Sequence, residues 1–256
     1  MSRRLAIAPG QPDMDLLIYF LLTLFFSTLF SMGGVGSAIA LVSIFPMAGM
    51  PLNLAKAVGL FINATSTISA SVMNLLRGVL DFKFALPLVI SIVISTPIGA
   101  YSSQFIAEYW VRWVLIGFLL VSGTLLIKRG REARYAYTQA WIMYVIGGAV
   151  GLLSGLLGVG GGALIIPLLI LLGHEPKKAA YTVSFVIPFS SLGAFFTYLN
   201  FIDMDWLLLA VVAVAAFLGG LIGNRIMHFR LTESQVKQLI AIVLYLLAGK
   251  LIWTQL

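Results

Sequence analysis

The chain contains no cysteine, only two histidines, and few charged residues, which make up 10% of its 256 positions. The absence of cysteine excludes disulfide bonds, thiol catalysis and thiolate metal sites. The two longest apolar runs contain no acidic residue, so they lack the converging carboxylates that a membrane-embedded enzyme requires. We therefore predict that the protein is not an enzyme and has no catalytic residues, no metal site and no cofactor.

Apolar residues dominate instead, at 61% of the chain with a mean hydropathy of +1.05. A chain of this length cannot bury so much apolar surface in a water-soluble core, so we predict an all-α polytopic protein in a lipid bilayer. The net charge of +7 raises the alternative of a nucleic-acid partner. The basic residues occur in short clusters between apolar runs, which is typical of topology signals, so we predict no nucleic-acid partner. Composition carries no prediction of oligomeric state.

Two uncharged runs of about forty residues, 16–55 and 135–174, are the longest in the chain. Each would measure about 60 Å as one helix, twice the roughly 30 Å of a bilayer core, so each must tilt, break or turn back. The remaining apolar segments predict transmembrane helices over 54–76, 84–105, 109–127, 179–199, 206–223 and 236–253.

Glycines interrupt both long runs. Eight of them fall within positions 147–162. Gly147, Gly151 and Gly155 recur every fourth residue, which favours close approach of another helix. The tighter cluster from Gly158 to Gly162 predicts a helix break whose freed N–H groups face a ligand, although close helix packing is the alternative explanation. A weaker copy of this cluster begins at Gly33 in the first run.

The two halves align at one constant offset of 124, which places Gly34 on Gly158, Ser66 on Ser190 and Asp81 on Asp205. We therefore predict an N-terminal tail (1–15), a first repeat half (16–127), a basic linker (128–140) and a second repeat half (141–256), with three transmembrane helices following the broken segment of each half. If each broken segment is a hairpin, the second half is inverted, and eleven Lys and Arg residues lie inside against five outside. That bias favours inverted over parallel repeats.

Polar side chains concentrate on the helices that follow each break. Their hydroxyl and amide groups, together with the break amides, suit the oxygens of a small anion. Any single Ser or Thr has the alternative role of bonding a carbonyl of its own helix. The predicted substrate-binding residues are Gly33, Gly34, Gly36, Ser37, Asn63, Thr65, Ser66, Thr67, Gly158, Gly160, Gly161, Gly162, Thr182, Ser184, Ser190 and Ser191.

The segment GLLGVGGGALIIPLL, the following HEPKKAAYTVS and the duplication within about 250 residues resemble the TauE/SafE family of sulfite and organosulfur-anion transporters. The resemblance covers nearly the whole chain. The first half departs from the pattern, because Ser37 and Ala38 replace two glycines. The resemblance implies a secondary transporter of small anions such as sulfite or sulfonates, multi-pass in a prokaryotic inner membrane. An anion channel and a structural membrane subunit are the alternatives, since both use glycine breaks.

Overall fold

In the computed structural model, residues 12–103, 105, 139–200 and 202–253 are described, with scattered positions between 109 and 124. These residues contain α-helices and one short 3-10 turn (Phe45–Ala48) but no strand, in agreement with the all-α prediction. The helices are α1 (Pro12–Ser31), α2 (Ala38–Ile44), α3 (Leu52–Leu76), α4 (Phe82–Ser102), α5 (Ala140–Leu157), α6 (Gly162–Leu171), α7 (Pro176–Tyr198), α8 (Trp206–Arg230) and α9 (Glu233–Trp253).

Five of these helices, α3, α4, α5, α7 and α8, are long and apolar enough to cross a membrane. The predicted helix over 109–127 lies largely outside the described residues, although the described positions from 109 to 124 are helical. One predicted boundary is wrong, because α8 continues past Gly223 to Arg230. Gly223 packs against Thr28 of α1 rather than ending the helix, so Asn224 and His228 lie within the last turns of α8.

The first long run is a hairpin. Helix α1 ends at Ser31, and Gly34 and Gly36 adopt left-handed φ angles of 68° and 81° before α2 begins. The ring of Tyr19 on α1 stacks edge-on against Phe45, with centroids 5.2 Å apart, and the Tyr19 hydroxyl donates to the carbonyl of Ala48 at 3.1 Å. Because Tyr19 lies far from the break on one side and Ala48 far from it on the other, the chain must double back.

The second long run returns in the same way. Gly158 and Gly160, with φ angles of 69° and 65°, separate α5 from α6. Helices α4 and α5 run side by side in one direction, since Gly147 meets Leu88 near the start of α4 and Gly155 meets Ala100 near its end. Beyond α6, His174 stacks on Phe84 at the start of α4, with ring centroids 4.4 Å apart. The chain therefore leaves near the level at which α5 began, and the prediction that glycines interrupt both runs is confirmed.

Small residues allow close contact in two equivalent helix pairs. In one pair, Gly99 and Gly155 bring the backbones of α4 and α5 together. In the other pair, Gly219 and Gly223 of α8 meet the Ser27 and Thr28 region of α1. The offset of 124 relates α4 to α8 and α1 to α5, so α4 and α8 each pack against the first helix of the other half. Close backbone approach of this kind is how membrane helices gain packing energy.

Helix α3 lies at the centre and contacts helices from both directions. It runs antiparallel to α7, because Phe61 meets Phe195 while Ser71 donates to the carbonyl of Ser184. It runs parallel to α8, because Ser66 lies against Gly220 and Arg77, further along, reaches Asn224 and Phe229. This central position allows side chains of α3 to contact both broken segments.

Candidate functional site

A single buried amide connects the two glycine breaks. The side chain of Asn63 on α3 is 0% exposed. Its Oδ1 accepts a hydrogen bond from the backbone N–H of Ala38 at 3.4 Å, at the start of α2, and its Nδ2 donates to Oγ of Ser191 on α7 at 2.8 Å. The Asn63 side chain thus uses both of its polar atoms: Oδ1 bonds the first break, and Nδ2 bonds α7 in the second half of the chain.

Gly36 and Gly160 lie on either side of this amide. A Cβ atom built on either glycine collides with the Asn63 side chain, and one on Gly160 also collides with Oγ of Ser191. Both glycines have φ angles in the left-handed region, which side-chain-bearing residues rarely adopt. Two independent constraints, backbone conformation and space, therefore require glycine at both positions.

A chain of hydroxyl groups supports the second break. The backbone N–H of Gly161 donates to Oγ of Ser154 at 2.7 Å. Ser154 lies 3.1 Å from the hydroxyl of Ser190, and Ser190 lies 3.3 Å from the hydroxyl of Thr96. These groups come from α5, α7 and α4, and all are buried. Hydroxyls both donate and accept, so the direction of the hydrogen bonds along this chain can reverse.

The tips of the two hairpins reach equivalent neighbours on opposite halves. Gly34 lies against Ala180 near the start of α7, and Gly158 lies against the aliphatic stem of Lys56 near the start of α3. Positions 56 and 180 are related by the offset of 124. Lys56 is only 4% exposed, which is unusual for a lysine in an apolar helix and places a cationic residue beside the second break.

The predicted site residues fall into four groups. Gly36, Asn63, Gly160, Ser190 and Ser191 surround the central amide or belong to the hydroxyl chain, whereas the Ser37 hydroxyl lies 3.2 Å from that of Ser27 on α1. Gly34, Gly158 and Gly162 lie where the hairpins meet α7, α3 and each other, with Gly162 against the carbonyl of Val35. Gly33 and Gly161 lie mainly against apolar side chains. Gly33 faces Leu239 and Ile240 of α9. The Cα of Gly161 faces Val150 and Ile165, and its N–H donates to Ser154.

The remaining predicted hydroxyls bond mainly within their own helices. Thr65 donates to the carbonyl of Phe61 at 2.9 Å and lies on the face of α3 opposite Asn63. Ser66 donates to the carbonyl of Asn63 at 3.2 Å, and Ser184 to that of Ala180 at 2.6 Å. Thr67 also bonds the Asn63 carbonyl, and Thr182 is buried on α7. The structure does not bring Thr65 to the central amide.

Sequence reasoning missed several polar residues that the structure places at the breaks. Lys56 is the first charged residue after the uncharged run 16–55, and the sequence predicts no role for it. In the structure it is buried on α3 beside Gly158. Ser154 lies within the glycine-rich segment, four residues before Gly158. A search of that segment for a side chain able to accept hydrogen bonds from the freed N–H groups would have identified it. Thr96, preceding Pro97 on α4, carries no signal in the sequence, because its contact with Ser190 spans 94 positions.

The donors at this site are amides and hydroxyls rather than metal ligands. Among the residues that the structure describes, no group of three His, Asp or Glu side chains is placed to hold a metal ion. Backbone N–H groups, an Asn amide and Ser hydroxyls are the groups that bind oxyanions by hydrogen bonding.

Comparison with known protein families covers nearly the whole chain. The family model described as "Sulfite exporter TauE/SafE" matches residues 19–251. The chain belongs to this family. TauE/SafE proteins are membrane transporters, and the helices within the matched residues include five that can span a membrane. The match covers both broken segments and the central helix α3.

Individual TauE/SafE relatives are distant. The probable membrane transporter protein YunE of Bacillus subtilis is 27% identical over 208 residues, which cover 73% of this chain and 76% of YunE. The probable membrane transporter protein MJ0441 of Methanocaldococcus jannaschii is 29% identical over 185 residues, or 68% of this chain and 67% of that protein. The sulfite exporter TauE/SafE family protein 2 of Arabidopsis thaliana is 38% identical, but over 83 residues that cover only 32% of this chain and 18% of its own.

Proposed function

We propose that this protein is a secondary transporter of a small organosulfur anion, with sulfite and simple sulfonates as the expected substrates. The observation that carries the proposal is the pair of left-handed glycines, Gly36 and Gly160, on either side of the buried amide of Asn63. Family membership supports transport, and the name of the Arabidopsis relative, a sulfite exporter family protein, supports the class of anion.

The anion binds by replacing hydrogen bonds that the protein makes to itself. The N–H groups of Ala38 and Gly161 are held by Asn63 Oδ1 and Ser154 Oγ. A sulfonate oxygen is a stronger acceptor than either neutral oxygen, because it carries charge. The side chains that are released, together with Ser191, then turn their donors toward the remaining oxygens.

The positive charge near this site is limited, which suits a transporter. Lys56 lies beside Gly158 rather than between the two central glycines. A complete countercharge at the centre would hold the anion tightly and slow its release, whereas neutral donors provide selectivity with fast dissociation.

We further propose that the two halves, 16–127 and 141–256 with the linker 128–140 between them, are inverted repeats. Support comes from helix direction. Contacts give α1, α3 and α8 one common direction. Helices α4, α5 and α7 share the other, since Phe82 meets Phe185 while Pro97 lies near Gly193. Helices α1, α3 and α4 of the first half thus have the opposite sense to α5, α7 and α8 of the second, a relation that underlies alternating access in many transporters.

Cysteine labelling tests the inversion. The natural chain has no cysteine, so each introduced thiol is the only one present. We expect Asn53→Cys and Lys177→Cys, at the starts of α3 and α7, to react with a membrane-impermeant maleimide from opposite sides of sealed vesicles. Labelling of both from one side would make the repeats parallel and overturn this part of the proposal.

Flux into proteoliposomes tests the function itself. Purified protein is reconstituted, and uptake of ³⁵S-labelled sulfite, methanesulfonate and thiosulfate is measured against phosphate and chloride. We expect saturable uptake of at least one sulfur anion, lost in Asn63→Ala and retained in Thr65→Ala. Thr65 is the matched control because it lies on the same helix but bonds only its own helix backbone. Linear, unsaturable flux would identify a channel, and no flux of any sulfur anion would refute the proposal.

A further inference from the structure

Four described polar side chains have buried hydrogen-bonding atoms without a partner, and three of them lie toward one end of the bundle, away from the central amide; the fourth is Thr23 on α1. Both amide atoms of Asn74, Nδ2 of Asn224 and Oγ of Ser31 are buried and make no hydrogen bond. Asn74 and Asn224 are each 0% exposed. An unsatisfied buried polar group costs about 1–3 kcal/mol, so packing alone does not explain three of them.

These residues lie toward the same end of the helix bundle. Because α3 and α8 run parallel and Ser66 meets Gly220, Asn74 lies eight residues beyond that contact and Asn224 four residues beyond it, about one helical turn apart. Asn74 is also three residues before Arg77 on α3, so the two are neighbours on that helix. Nη1 of Arg77 donates to Oδ1 of Asn224 at 3.1 Å, which fixes the orientation of that amide. Ser31, at the end of α1, packs against Gly223 beside Asn224. We call Ser31, Asn74, Arg77 and Asn224 the polar cluster.

Arg77 gives the polar cluster a positive charge. Its guanidinium lies over the ring of Phe229, 4.9 Å from the centroid, and is half-buried. No acidic side chain in the described part of the chain forms a salt bridge with it. Burial lowers the pKa of Arg77 from its ordinary value, Tyr181 opposes this, and Arg225 adds to it. A guanidinium stays charged at neutral pH despite such a shift.

The repeat does not explain the polar cluster. At the offset of 124, Asn74 corresponds to Tyr198 and Asn224 to Ala100. Tyr198 and Ala100 belong to an apolar cluster with Phe195. At one end the equivalent positions hold an alanine and a tyrosine whose hydroxyl is bonded to Gly155, whereas the other end carries unsatisfied amides beside an arginine, so the unsatisfied groups are specific to one end of the transporter.

A polar stripe on α3 links the polar cluster with the central amide. Asn63, Thr67 and Asn74 share one face of the helix, at spacings of four and seven residues, and all three are buried. The first break also approaches this end of the bundle, since Gly34 lies against Ala180, next to Tyr181, whose hydroxyl lies 3.0 Å from Nδ1 of His228. Buried polar side chains therefore occur at intervals between the breaks and Arg77.

We propose that the polar cluster is a second anion subsite, at which a sulfite or sulfonate group binds between the central amide and the solution on the Arg77 side. Arg77 supplies charge and paired N–H donors, and the unpaired Nδ2 groups of Asn74 and Asn224 donate to the remaining oxygens. This inference rests on the proposed function, because it places the same substrate at an earlier or later step of its passage.

Isothermal titration of the purified full-length protein with sodium methanesulfonate and sodium sulfite tests the subsite. In Asn63→Ala, which removes the central amide, we expect residual saturable binding. Adding Arg77→Gln should weaken that residual binding at least about tenfold, whereas adding Arg230→Gln should leave it unchanged. Arg230 is the matched control because its substitution removes the same charge from an exposed position at the end of α8.

Asn74→Ala provides a second variant that does not depend on losing a charge. Because neither amide atom of Asn74 is bonded within the protein, its removal should leave the melting temperature without anion equal or higher. The increase in melting temperature on adding methanesulfonate should become smaller, and the dissociation constant should rise about tenfold. Unchanged binding in both Asn74→Ala and Arg77→Gln would overturn the subsite while leaving transport through the central amide intact; failure of the wild-type protein to bind any sulfur anion would overturn both.

Discussion

Replacing Gly160 with alanine tests the central arrangement most directly. The φ angle of Gly160 is +65°, and an alanine at such an angle costs about 1–2 kcal/mol. The added methyl group also occupies the space of Asn63 Nδ2 and Ser191 Oγ, which form a buried hydrogen bond of 2.8 Å. Separating these two groups costs about 1–3 kcal/mol more, so the whole substitution should destabilise the site by about 2–5 kcal/mol.

A second glycine separates the two contributions. Gly49 has a φ angle of +91°, but nothing lies within 4 Å of a Cβ built on it. Gly49→Ala therefore carries the conformational cost alone, about 1–2 kcal/mol. The difference of about 1–3 kcal/mol between the variants corresponds to about 5- to 150-fold in the population of the intact site.

The assay compares sulfite flux per inserted molecule in proteoliposomes and melting temperature in detergent for the two variants. We expect both to melt lower than the wild-type protein but only Gly160→Ala to lose most of its flux. If Gly160→Ala transported as fast as Gly49→Ala, contact between the second break and Asn63 would have no part in transport, and a mechanism centred on that contact would be refuted.

Two further predictions concern the scaffold. Gly155→Leu should lower the melting temperature and the amount of folded protein, because the new side chain would collide with the backbone of α4 at Thr96. Gly148→Leu is the control, because position 148 on the same helix faces open space and its substitution should have little effect. Equal melting temperatures of the two variants would contradict the close α4–α5 packing. Asp205→Ala should cost about 0.5–2 kcal/mol, because Asp205 Oδ1 accepts from two N–H groups at the start of α8, and Asp205→Asn should restore most of that loss in thermal denaturation.

Much of the architecture was predictable because its signals are local. A run of about forty uncharged residues, as one helix, exceeds the thickness of a bilayer whatever it packs against, so it had to tilt, break or turn back, and the clustered glycines indicated a break and its place. The residues at which helices end were harder to predict than the presence of the helices. The structure extends α8 beyond Gly223, since a glycine that allows close helix contact looks the same in sequence as one that ends a helix.

Sequence by itself determined that this protein is a helical membrane protein with two glycine-broken apolar runs, because hydropathy, run length and glycine spacing are properties of the chain alone. Only the tertiary structure decided which polar groups meet. The bond from Asn63 to Ser191 spans 128 positions, and the one from Arg77 to Asn224 spans 147. Contacts at such distances depend on how helices cross, and no local pattern specifies that a lysine at position 56 is buried beside a glycine at position 158.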